Sequence, residues 1–223
     1  MTSIAEHLRQ IHEELPEGVK LVAVSKFHPI EALKQAYDAG QRIFGESRAQ
    51  EISQKCHQMP EDVQWHFIGH LQTNKVRMLV REVSLIHSVD SLKLLEVINS
   101  EGAKINKVVN VLLQLYVAKE TTKFGFSCSD CIDLVESGAI RKLPFINVCG
   151  VMGMATNTED GSEIRKELKE IRCVYDVLKE KCFKDNPDFK EVSMGMSHDY
   201  KIAIEEGSTM VRIGTSIFGE REY

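Results

Sequence analysis

Two loops near the C-terminus decide the fold, and they read Ser193-Met194-Gly195-Met196-Ser197-His198-Asp199 and Met210-Val211-Arg212-Ile213-Gly214-Thr215-Ser216-Ile217-Phe218-Gly219. Each loop follows an apolar run of strand character and begins with small residues, whose backbone N–H groups can reach an anion. Glycine lets the backbone approach such a group closely. Together the two loops predict a cradle for a phosphate.

A short helix is expected between these loops. Ser197 is a candidate N-cap, residues 203–206 have helical character, and Gly207 suits the left-handed conformation that ends a helix. The predicted order is therefore strand, loop, helix, strand, loop.

Arg212 interrupts an otherwise apolar strand just before the second loop. A buried guanidinium group needs a hydrogen-bond acceptor or an anion. Arg212 alone leaves two partners open: a neighbouring carboxylate of the protein, which is the commoner case, or a bound ligand.

The pattern of a strand followed by a helix recurs along the whole chain. Eight strands are predicted, at residues 20–26, 42–45, 64–69, 85–89, 107–117, 145–153, 191–194 and 209–213. The helix after the sixth strand carries its apolar residues on one face, namely Ile164, Leu168, Ile171, Tyr175, Leu178 and Cys182. Eight such units predict an α/β fold, a (β/α)8 TIM barrel, with an open doubly wound sheet as the alternative.

Length and composition limit the partners that are expected. With 223 residues, 43% of them hydrophobic, the chain is predicted to form one domain over residues 1–223. Residues 1–15 have the apolar spacing of an extra N-terminal amphipathic helix, and residues 108–118 are too few for the roughly 20 that span a bilayer. The net charge of −5 provides no basic surface for nucleic acid. We expect a monomeric cytoplasmic protein without a nucleic-acid or membrane partner.

Cys128-Ser129-Asp130-Cys131 has the spacing of a redox pair or of half a zinc site. No second cysteine pair lies nearby in the sequence, and no thioredoxin-like pattern surrounds the motif. We therefore expect structural cysteines at the start of a helix and no metal site.

A barrel would bring residues from both ends of the chain to one mouth. Lys26 follows the first strand, whereas Ser193, Arg212, Gly214 and Thr215 belong to the last two strands and their loops, which commonly bind phosphate in TIM barrels. A lysine facing a phosphate cradle can clamp a sugar phosphate or form a Schiff base with pyridoxal 5'-phosphate (PLP). It can also be a solvated residue at a strand end, and the residues alone leave all three open.

The motifs of nearly the whole chain resemble the YggS/PROSC family of pyridoxal phosphate homeostasis proteins. They are Ala23-Val24-Ser25-Lys26, Phe44-Gly45-Glu46, Trp65-His66-Phe67-Ile68-Gly69 with Leu71-Gln72 and Asn74-Lys75, Gly150-Val151-Met152, Ser193-Met194-Gly195-Met196-Ser197 with Asp199, and Arg212-Ile213-Gly214-Thr215 with Ile217-Phe218-Gly219.

This resemblance implies a barrel like the N-terminal domain of alanine racemase. It also implies that Lys26 holds PLP as an internal aldimine, that Ser193, Gly214 and Thr215 hold its phosphate, and that Arg212 faces its pyridine nitrogen. No catalytic residue is implied. Two positions depart from the family's pattern: Ser47 stands where Asn is common, and Phe27-His28 stand where Thr-Lys is frequent.

The function implied by the resemblance is a non-catalytic carrier or buffer that holds PLP and passes it to apo-enzymes. A permanent cation at the ring nitrogen resists ring protonation and weakens the ring as an electron sink. Racemisation also needs a second base, for which only Tyr116 and Tyr200 are expected near the mouth.

The alternatives are a PLP-dependent racemase-like enzyme and a barrel enzyme acting on a phosphorylated sugar. His66 is expected to pack in the core, and Asn74 and Lys75 to lie on a solvated helix face.

Overall fold

Eight parallel strands close into a barrel in a computed structural model that describes residues 3–118 and 124–219. The strands are β1 (Lys20–Val24), β2 (Ile43–Glu46), β3 (Gln64–Phe67), β4 (Val83–Val89), β5 (Val109–Gln114), β6 (Ile146–Met152), β7 (Glu191–Ser193) and β8 (Met210–Ile213). They follow one another around the barrel in chain order, and β8 pairs with β1 so that Arg212 lies opposite Val22. The predicted TIM barrel is confirmed, and the open sheet is excluded.

Helices connect the strands on the outside of the barrel. They are α1 (Ile4–Glu14), α2 (Ile30–Asp38), α3 (Ala49–Lys55), α4 (Val76–Leu79), α5 (Leu92–Lys104), α6 (Cys128–Glu136), α7 (Gly161–Lys181), α8 (Tyr200–Glu205) and α9 (Thr215–Phe218). Within the described residues, none of them combines the length and apolar character needed to cross a bilayer. The one-domain extent of residues 1–223 includes positions 1–2, 119–123 and 220–223, which lie outside the described residues, and it stays a prediction.

The predicted N-terminal helix is α1, and its start is defined by a capping box. The hydroxyl of Ser3 accepts from the N–H of Glu6, and the Glu6 carboxylate accepts from the N–H of Ser3. Leu8 and Ile11 are buried where α1 packs against α2 and α9. His7 Nδ1 donates to the carbonyl of Ile217 at 3.0 Å, so α1 is tied to the last turn of the barrel.

Helix α7 follows the predicted apolar face closely. Ile164, Leu168, Ile171, Tyr175 and Leu178 are all buried, whereas Cys182 lies just past the end of the helix and is half-buried. Spacings of three and four residues place these side chains on one side, so burying them against the barrel stabilises the helix.

Two local predictions were wrong. The fifth strand was predicted to reach residue 117, but β5 ends at Gln114 because the chain beyond it pairs with a returning segment. The N–H of Tyr116 donates to the carbonyl of Phe126, and the N–H of Phe126 donates to the carbonyl of Gln114. Ser197 is not an N-cap either, since α8 begins at Tyr200 after Asp199. Gly207 has φ of 89° two residues after α8, as predicted.

Side chains on the barrel strands alternate between the interior and the helices. A buried apolar cluster in the interior contains Val22, Leu85, Leu112, Cys149, Met152 and Met210. Two residues further along three of these strands lie Val24 on β1, His87 on β4 and Arg212 on β8. His87 and Arg212 are buried polar side chains, and Val24 and Arg212 line a cavity. The polar end of the interior therefore coincides with the C-terminal ends of the strands, where barrel sites lie.

Candidate functional site

A cavity of about 390 Å³ opens at the C-terminal mouth of the barrel. It is lined by residues from the ends of β1, β2, β3, β6, β7 and β8, namely Val24, Lys26, Ser47, Ile68, Gly69, His70, Met154, Met196, Ser197, His198, Arg212, Gly214 and Thr215. Four of the five predicted site residues thus line one cavity, although they come from opposite ends of the sequence. The exception is Ser193.

Lys26 lies two residues beyond the end of β1 and is half-buried at the cavity wall. The residue after it, Phe27, has φ of 68°, which is unusual for a bulky side chain and turns the chain sharply out of the strand. Phe27 and His28, which replace the Thr-Lys pair of the family, do not contribute to the cavity lining. The guanidinium of Arg48 lies 4.5 Å from the Phe27 ring centre, and His28 stacks on Phe218 at 4.9 Å.

Arg212 is buried and points from β8 into the polar end of the barrel. Its Nη1 donates to the carbonyl and to the hydroxyl of Ser193, both at 2.7 Å, and its Nη2 donates to the carbonyl of Gly153 at 2.9 Å. Burial lowers the pKa of Arg212 to about 10, an effect that Asp199 opposes, so the group is a cation at neutral pH. Among the described residues no carboxylate forms an ion pair with it, and protein carbonyls and a hydroxyl accept its hydrogen bonds, so its role toward a ligand stays a prediction.

Ser193, at the end of β7, is fully buried and does not line the cavity. Its hydroxyl contacts Nη1 of Arg212 at 2.7 Å and Nδ1 of His87 at 3.0 Å. Ser193 therefore supports Arg212 from inside the barrel. Its assignment to a phosphate stays a prediction.

Behind Arg212 lie two buried histidines, of which the sequence analysis noted only His66. His87 Nε2 lies 2.9 Å from His66 Nδ1, so the side chains of His66, His87, Ser193 and Arg212 form one hydrogen-bonded chain. Burial lowers the pKa of His66 to about 3, and burial together with the nearby His66 and Arg212 lowers the pKa of His87 well below its ordinary range. The expected core position of His66 is confirmed. His87 had a sequence signal, because it follows Leu85 at the two-residue spacing of an inward-facing strand position.

The loops after β7 and β8 meet at the cavity wall. Asp199 is buried and accepts from the N–H of Met196, which holds the turn that carries Ser197. The N–H of Gly214 donates to the hydroxyl of Ser197 at 3.4 Å, a weak contact that joins the two loops. Thr215 is exposed at the start of α9, next to Gly214. The two loops predicted to form a cradle are therefore adjacent, and Ser197 supplies the serine at the cavity.

The rim of the cavity includes Ser47 and two histidines. Ser47 lines the cavity at the position where the family commonly has asparagine. His70 stacks on Phe124 at 3.9 Å and lies 3.2 Å from Asp90, whereas His198 lies 3.6 Å from Asp199. Asn74 is exposed as expected, and Lys75 is half-buried beside a separate cavity that shares Ser47 and His70 with the first.

The Cys128–Cys131 motif begins α6, away from this mouth. Cys131 is fully buried, and burial raises the pKa of its thiol to about 12. The Cys128 thiol donates to Glu170 at 3.3 Å, and burial followed by this hydrogen bond raises its pKa to about 12 as well. Protonated, packed thiols of this kind are structural. In the described segments, no cluster of three or more His, Cys, Asp or Glu side chains is arranged to bind a metal ion.

Comparison with known sequences shows the family to which this chain is similar. The sequence profile of the alanine racemase N-terminal domain matches residues 1–222. The pyridoxal phosphate homeostasis protein of Aquifex aeolicus is 37% identical over all of this chain and 97% of its own length. The protein of the same name from Escherichia coli K12 is 33% identical over all of this chain and 99% of its own.

The chain belongs to the pyridoxal phosphate homeostasis protein family. Solved structures agree with this family assignment. PipY from Synechococcus elongatus without PLP is 34% identical and superimposes with a TM-score of 0.91, covering 97% of this chain and 100% of PipY. PipY with PLP bound is 33% identical and gives a TM-score of 0.87 over the same shares.

The similarity to alanine racemases is limited to the barrel fold. The alanine racemase from E. faecalis is 19% identical with a TM-score of 0.74, and the match covers 57% of that enzyme. A similarity of this size supports a common fold, and it carries no argument about activity.

Proposed function

We propose that this protein binds pyridoxal 5'-phosphate reversibly at the mouth of its barrel and carries or buffers it without chemical turnover. The observation that carries the proposal is the single cavity shared by the amine of Lys26, the guanidinium of Arg212 and the turn Gly214-Thr215. The relatives named for pyridoxal phosphate homeostasis and the PLP-bound PipY structure support it.

The donors in the cavity suit the three ends of this cofactor. When bound, PLP would supply a reactive aldehyde, and Lys26 offers the primary amine that would condense with it and release water. The guanidinium of Arg212 can only donate hydrogen bonds, which suits an unprotonated ring nitrogen. Ser197, Gly214 and Thr215, from the loops after β7 and β8, offer hydroxyl and N–H donors for a phosphate. A cavity of about 390 Å³ is within the range of small-molecule sites.

The same residues favour holding over turnover. Arg212 stays charged at neutral pH although burial lowers its pKa to about 10, so it keeps a proton from settling on a ring nitrogen beside it. A second base opposite Lys26 is also needed for racemisation. Tyr200 donates its hydroxyl proton to Glu14 of α1, which ties it to the outside of the barrel. The proposed role is a carrier that supplies PLP to apo-enzymes, and the cytoplasmic location and monomeric state expected from the sequence stay predictions.

The test is a visible spectrum of the purified full chain with PLP, before and after reduction with borohydride, followed by peptide mapping. We expect one reduced adduct on the peptide that contains Lys26, and none in Lys26→Ala. Lys75→Ala is the matched control, because Lys75 lies beside the neighbouring cavity and its loss should leave the adduct unchanged. An adduct that persists in Lys26→Ala and disappears in Lys75→Ala would transfer the binding site to the neighbouring cavity.

Release is tested by mixing the loaded protein with an apo-enzyme that depends on PLP. The carrier role predicts that activity appears in the apo-enzyme as the protein loses its absorption, and that the borohydride-reduced protein activates nothing. A reduced protein that activates the apo-enzyme as well as the unreduced one would show that loose cofactor was responsible.

A further inference from the structure

Three buried charged side chains lie directly behind Lys26, in the layer between the barrel and the helices. Glu46 ends β2, and Glu51 and Lys55 lie one turn apart on α3. Glu46 is fully buried and Lys55 almost so, whereas Glu51 is largely covered. None of the three lines the cavity, and binding a ligand there does not require them. Burying three ionisable groups costs free energy unless each of them has hydrogen-bond or ion-pair partners.

Their contacts fall on both neighbours of Lys26. The ammonium of Lys55 donates to the carbonyl of Ser25 at 3.1 Å, on the residue before Lys26. The carboxylate of Glu51 accepts from the N–H of Phe27 at 3.0 Å, on the residue after it. The backbone of Lys26 is therefore held on each side by a side chain of α3.

The contact on Phe27 coincides with an unusual backbone conformation. Phe27 has φ of 68°, in the left-handed region that phenylalanine rarely adopts. Such a conformation persists only where the surrounding contacts stabilise it. In an ordinary extended conformation the N–H of Phe27 would point in another direction, away from Glu51. The strained residue is next to the amine proposed to bind the ligand.

The donors of the cluster leave one oxygen of each carboxylate without a hydrogen bond. The three N–H groups of Lys55 are used by the carbonyl of Ser25, by Glu46 Oε1 at 2.7 Å and by Glu51 Oε2 at 2.8 Å. The hydroxyl of Ser25 donates to Glu46 Oε1 at 2.7 Å. Glu46 Oε2 and Glu51 Oε1 are then both buried without a donor. A proton on one carboxyl, donated to the other, would satisfy both oxygens and leave the cluster neutral, and a hydrogen bond from Glu46 is among the causes that lower the pKa of Glu51.

The electrostatics agree with this count. Burial raises the pKa of Glu46 to about 7, and the negative charge of Glu51 adds to the increase, while Lys55 and the Ser25 hydroxyl oppose it. Burial would also raise the pKa of Glu51, but hydrogen bonds from Lys55, from the Phe27 N–H and from Glu46 lower it overall. The charged groups that act on Glu46 are Lys55 and Glu51, both on α3. Its neighbour on β3 is the apolar Phe67. These opposite pKa shifts favour Glu46 over Glu51 as the carboxyl that carries the proton.

We propose that Glu46, Glu51 and Lys55 form a clamp that positions Lys26 at the cavity, and that the clamp works with Glu46 protonated and hydrogen-bonded to Glu51. The use of the clamp for ligand binding rests on the proposed function, whereas its effect on Lys26 does not. All three are positioning residues: Glu51 and Lys55 act on the backbone beside Lys26, and Glu46 acts through Lys55 and the Ser25 hydroxyl.

Isosteres separate the clamp from a simple stabilising ion pair. Glu46→Gln reproduces a protonated carboxyl, since its amide donates to Glu51 and its carbonyl accepts from Ser25 and Lys55. Glu51→Ala removes the acceptor for the Phe27 N–H. Glu96→Ala is the matched control, because Glu96 is exposed on α5 and the substitution makes the same change in net charge.

The experiment measures Lys26 in two ways, on full-length folded variants at pH 6.5. Acetic anhydride labelling followed by peptide mass spectrometry reports how accessible the Lys26 amine is without added PLP, and stopped-flow absorption reports how fast PLP adds to it. In Glu51→Ala we expect labelling to increase at least threefold while the rate of PLP addition falls at least tenfold, because the freed amine is accessible but misplaced. Glu46→Gln and Glu96→Ala should stay within twofold of the unaltered protein in both measurements.

The outcomes distinguish the clamp from the proposed function. If the unaltered protein does not react with PLP but the labelling pattern appears, PLP binding is wrong and the clamp stands. If folded Glu51→Ala matches the unaltered protein in labelling, the clamp does not position Lys26. If Glu46→Gln is impaired as much as Glu51→Ala, Glu46 acts as an anion and the shared proton is refuted. Infrared difference spectra between the unaltered protein and Glu46→Gln should show a protonated carboxyl at pH 6 that disappears at pH 9, and its absence at pH 6 would also refute the proton.

Discussion

The hydroxyl of Ser193 accepts a hydrogen bond from Nη1 of Arg212 at 2.7 Å, and this contact determines proton positions far into the barrel. A guanidinium group has no acceptor, so the arginine must be the donor. The Ser193 proton then has Nδ1 of His87 as its acceptor at 3.0 Å. With the Ser193 proton on this bond, His87 carries its own proton on Nε2 and donates it to Nδ1 of His66 at 2.9 Å. This direction of the chain predicts that both histidines are neutral, with the proton on Nε2.

The first prediction is that these two histidines remain neutral in the folded protein from pH 8 down to pH 5. Burial lowers the pKa of His66 to about 3, and protonating either ring would place a second donor against an existing one. Nitrogen-15 NMR of the imidazole rings should show the Nε2–H tautomer for both residues throughout this range. Signals of an imidazolium at His87 at pH 6 would contradict the direction of the chain.

The second prediction concerns which serine contacts the phosphate. Ser197 lines the cavity, whereas Ser193 is buried behind Arg212. Ser197→Ala should therefore weaken binding of PLP about tenfold or more, as expected for a hydrogen bond to a charged group, and should leave binding of pyridoxal, which lacks the phosphate, almost unchanged. Ser193→Ala should weaken both ligands by similar factors, because it acts through Arg212.

Equilibrium titrations of both ligands against both variants make the comparison. If Ser193→Ala is selective for the phosphorylated ligand and Ser197→Ala is not, the phosphate contact expected from the sequence at Ser193 is correct.

The third prediction compares neighbouring positions in the last loop. Thr215 is exposed, so Thr215→Ala should leave folding intact and weaken PLP binding by about 1.5–3 kcal/mol through the lost hydroxyl. A Cβ at Gly214 would lie 3.0 Å from the carbonyl of Val24 and 3.2 Å from its Cβ, so Gly214→Val pushes on the end of β1 just before Lys26. We expect a larger loss of affinity for Gly214→Val. Ser216→Ala is the control, since Ser216 is exposed and outside the cavity lining, and equal effects at all three positions would place the phosphate elsewhere.

The barrel was predictable from sequence because its signal is repeated eight times along the chain. Short apolar runs typical of buried strands alternate with segments of helical periodicity, and the closing contact between β8 and β1 follows from the number of units. The same argument brought Lys26 and Arg212 to one mouth. What sequence reasoning missed depends on local backbone contacts: the pairing of Tyr116 with Phe126 that ends β5, and the turn from Met196 to Tyr200 that makes α8 begin after Asp199.

The supporting residues were hidden for a different reason. Glu51 and Lys55 have the spacing of an ordinary exposed ion pair on a helix, and only the packing of α3 over β2 shows that they are covered. His87 lies in an apolar strand where a single histidine suggests packing. Its role became visible when the barrel placed it between His66 and Ser193.

The fourth prediction is a stability effect of Glu46 with an unusual dependence on pH. Its pKa rises from 4.5 in the unfolded chain to about 7 in the folded protein, so its contribution to stability is fully present below pH 4.5 and is lost as pH rises through 7. Glu46→Gln cannot ionise. The free energy of unfolding of this variant relative to the unaltered protein should increase by roughly 3 kcal/mol between pH 4.5 and pH 8. Urea denaturation at pH 4.5, 6 and 8 measures the difference, and a difference independent of pH would show that Glu46 is ionised throughout.

The last prediction is that the loaded protein does not exchange the α-hydrogen of amino acids faster than free PLP by a meaningful factor. Of the tyrosines expected near the mouth, Tyr200 is bound to Glu14, and Tyr116 borders a neighbouring cavity that shares Met154 and Met196 with the site. The histidines on the cavity wall each have a carboxylate neighbour, Asp90 for His70 and Asp199 for His198. In the proposed binding mode Arg212 would keep the ring nitrogen unprotonated, which would weaken carbanion stabilisation. Proton NMR of L-alanine in deuterium oxide over several hours, with equal amounts of protein-bound and free PLP, makes the measurement, and Lys26→Ala mixed with PLP is the control. Exchange that requires Lys26 and exceeds the free rate about a hundredfold, which corresponds to about 2.7 kcal/mol of barrier, would identify an enzyme in place of a carrier.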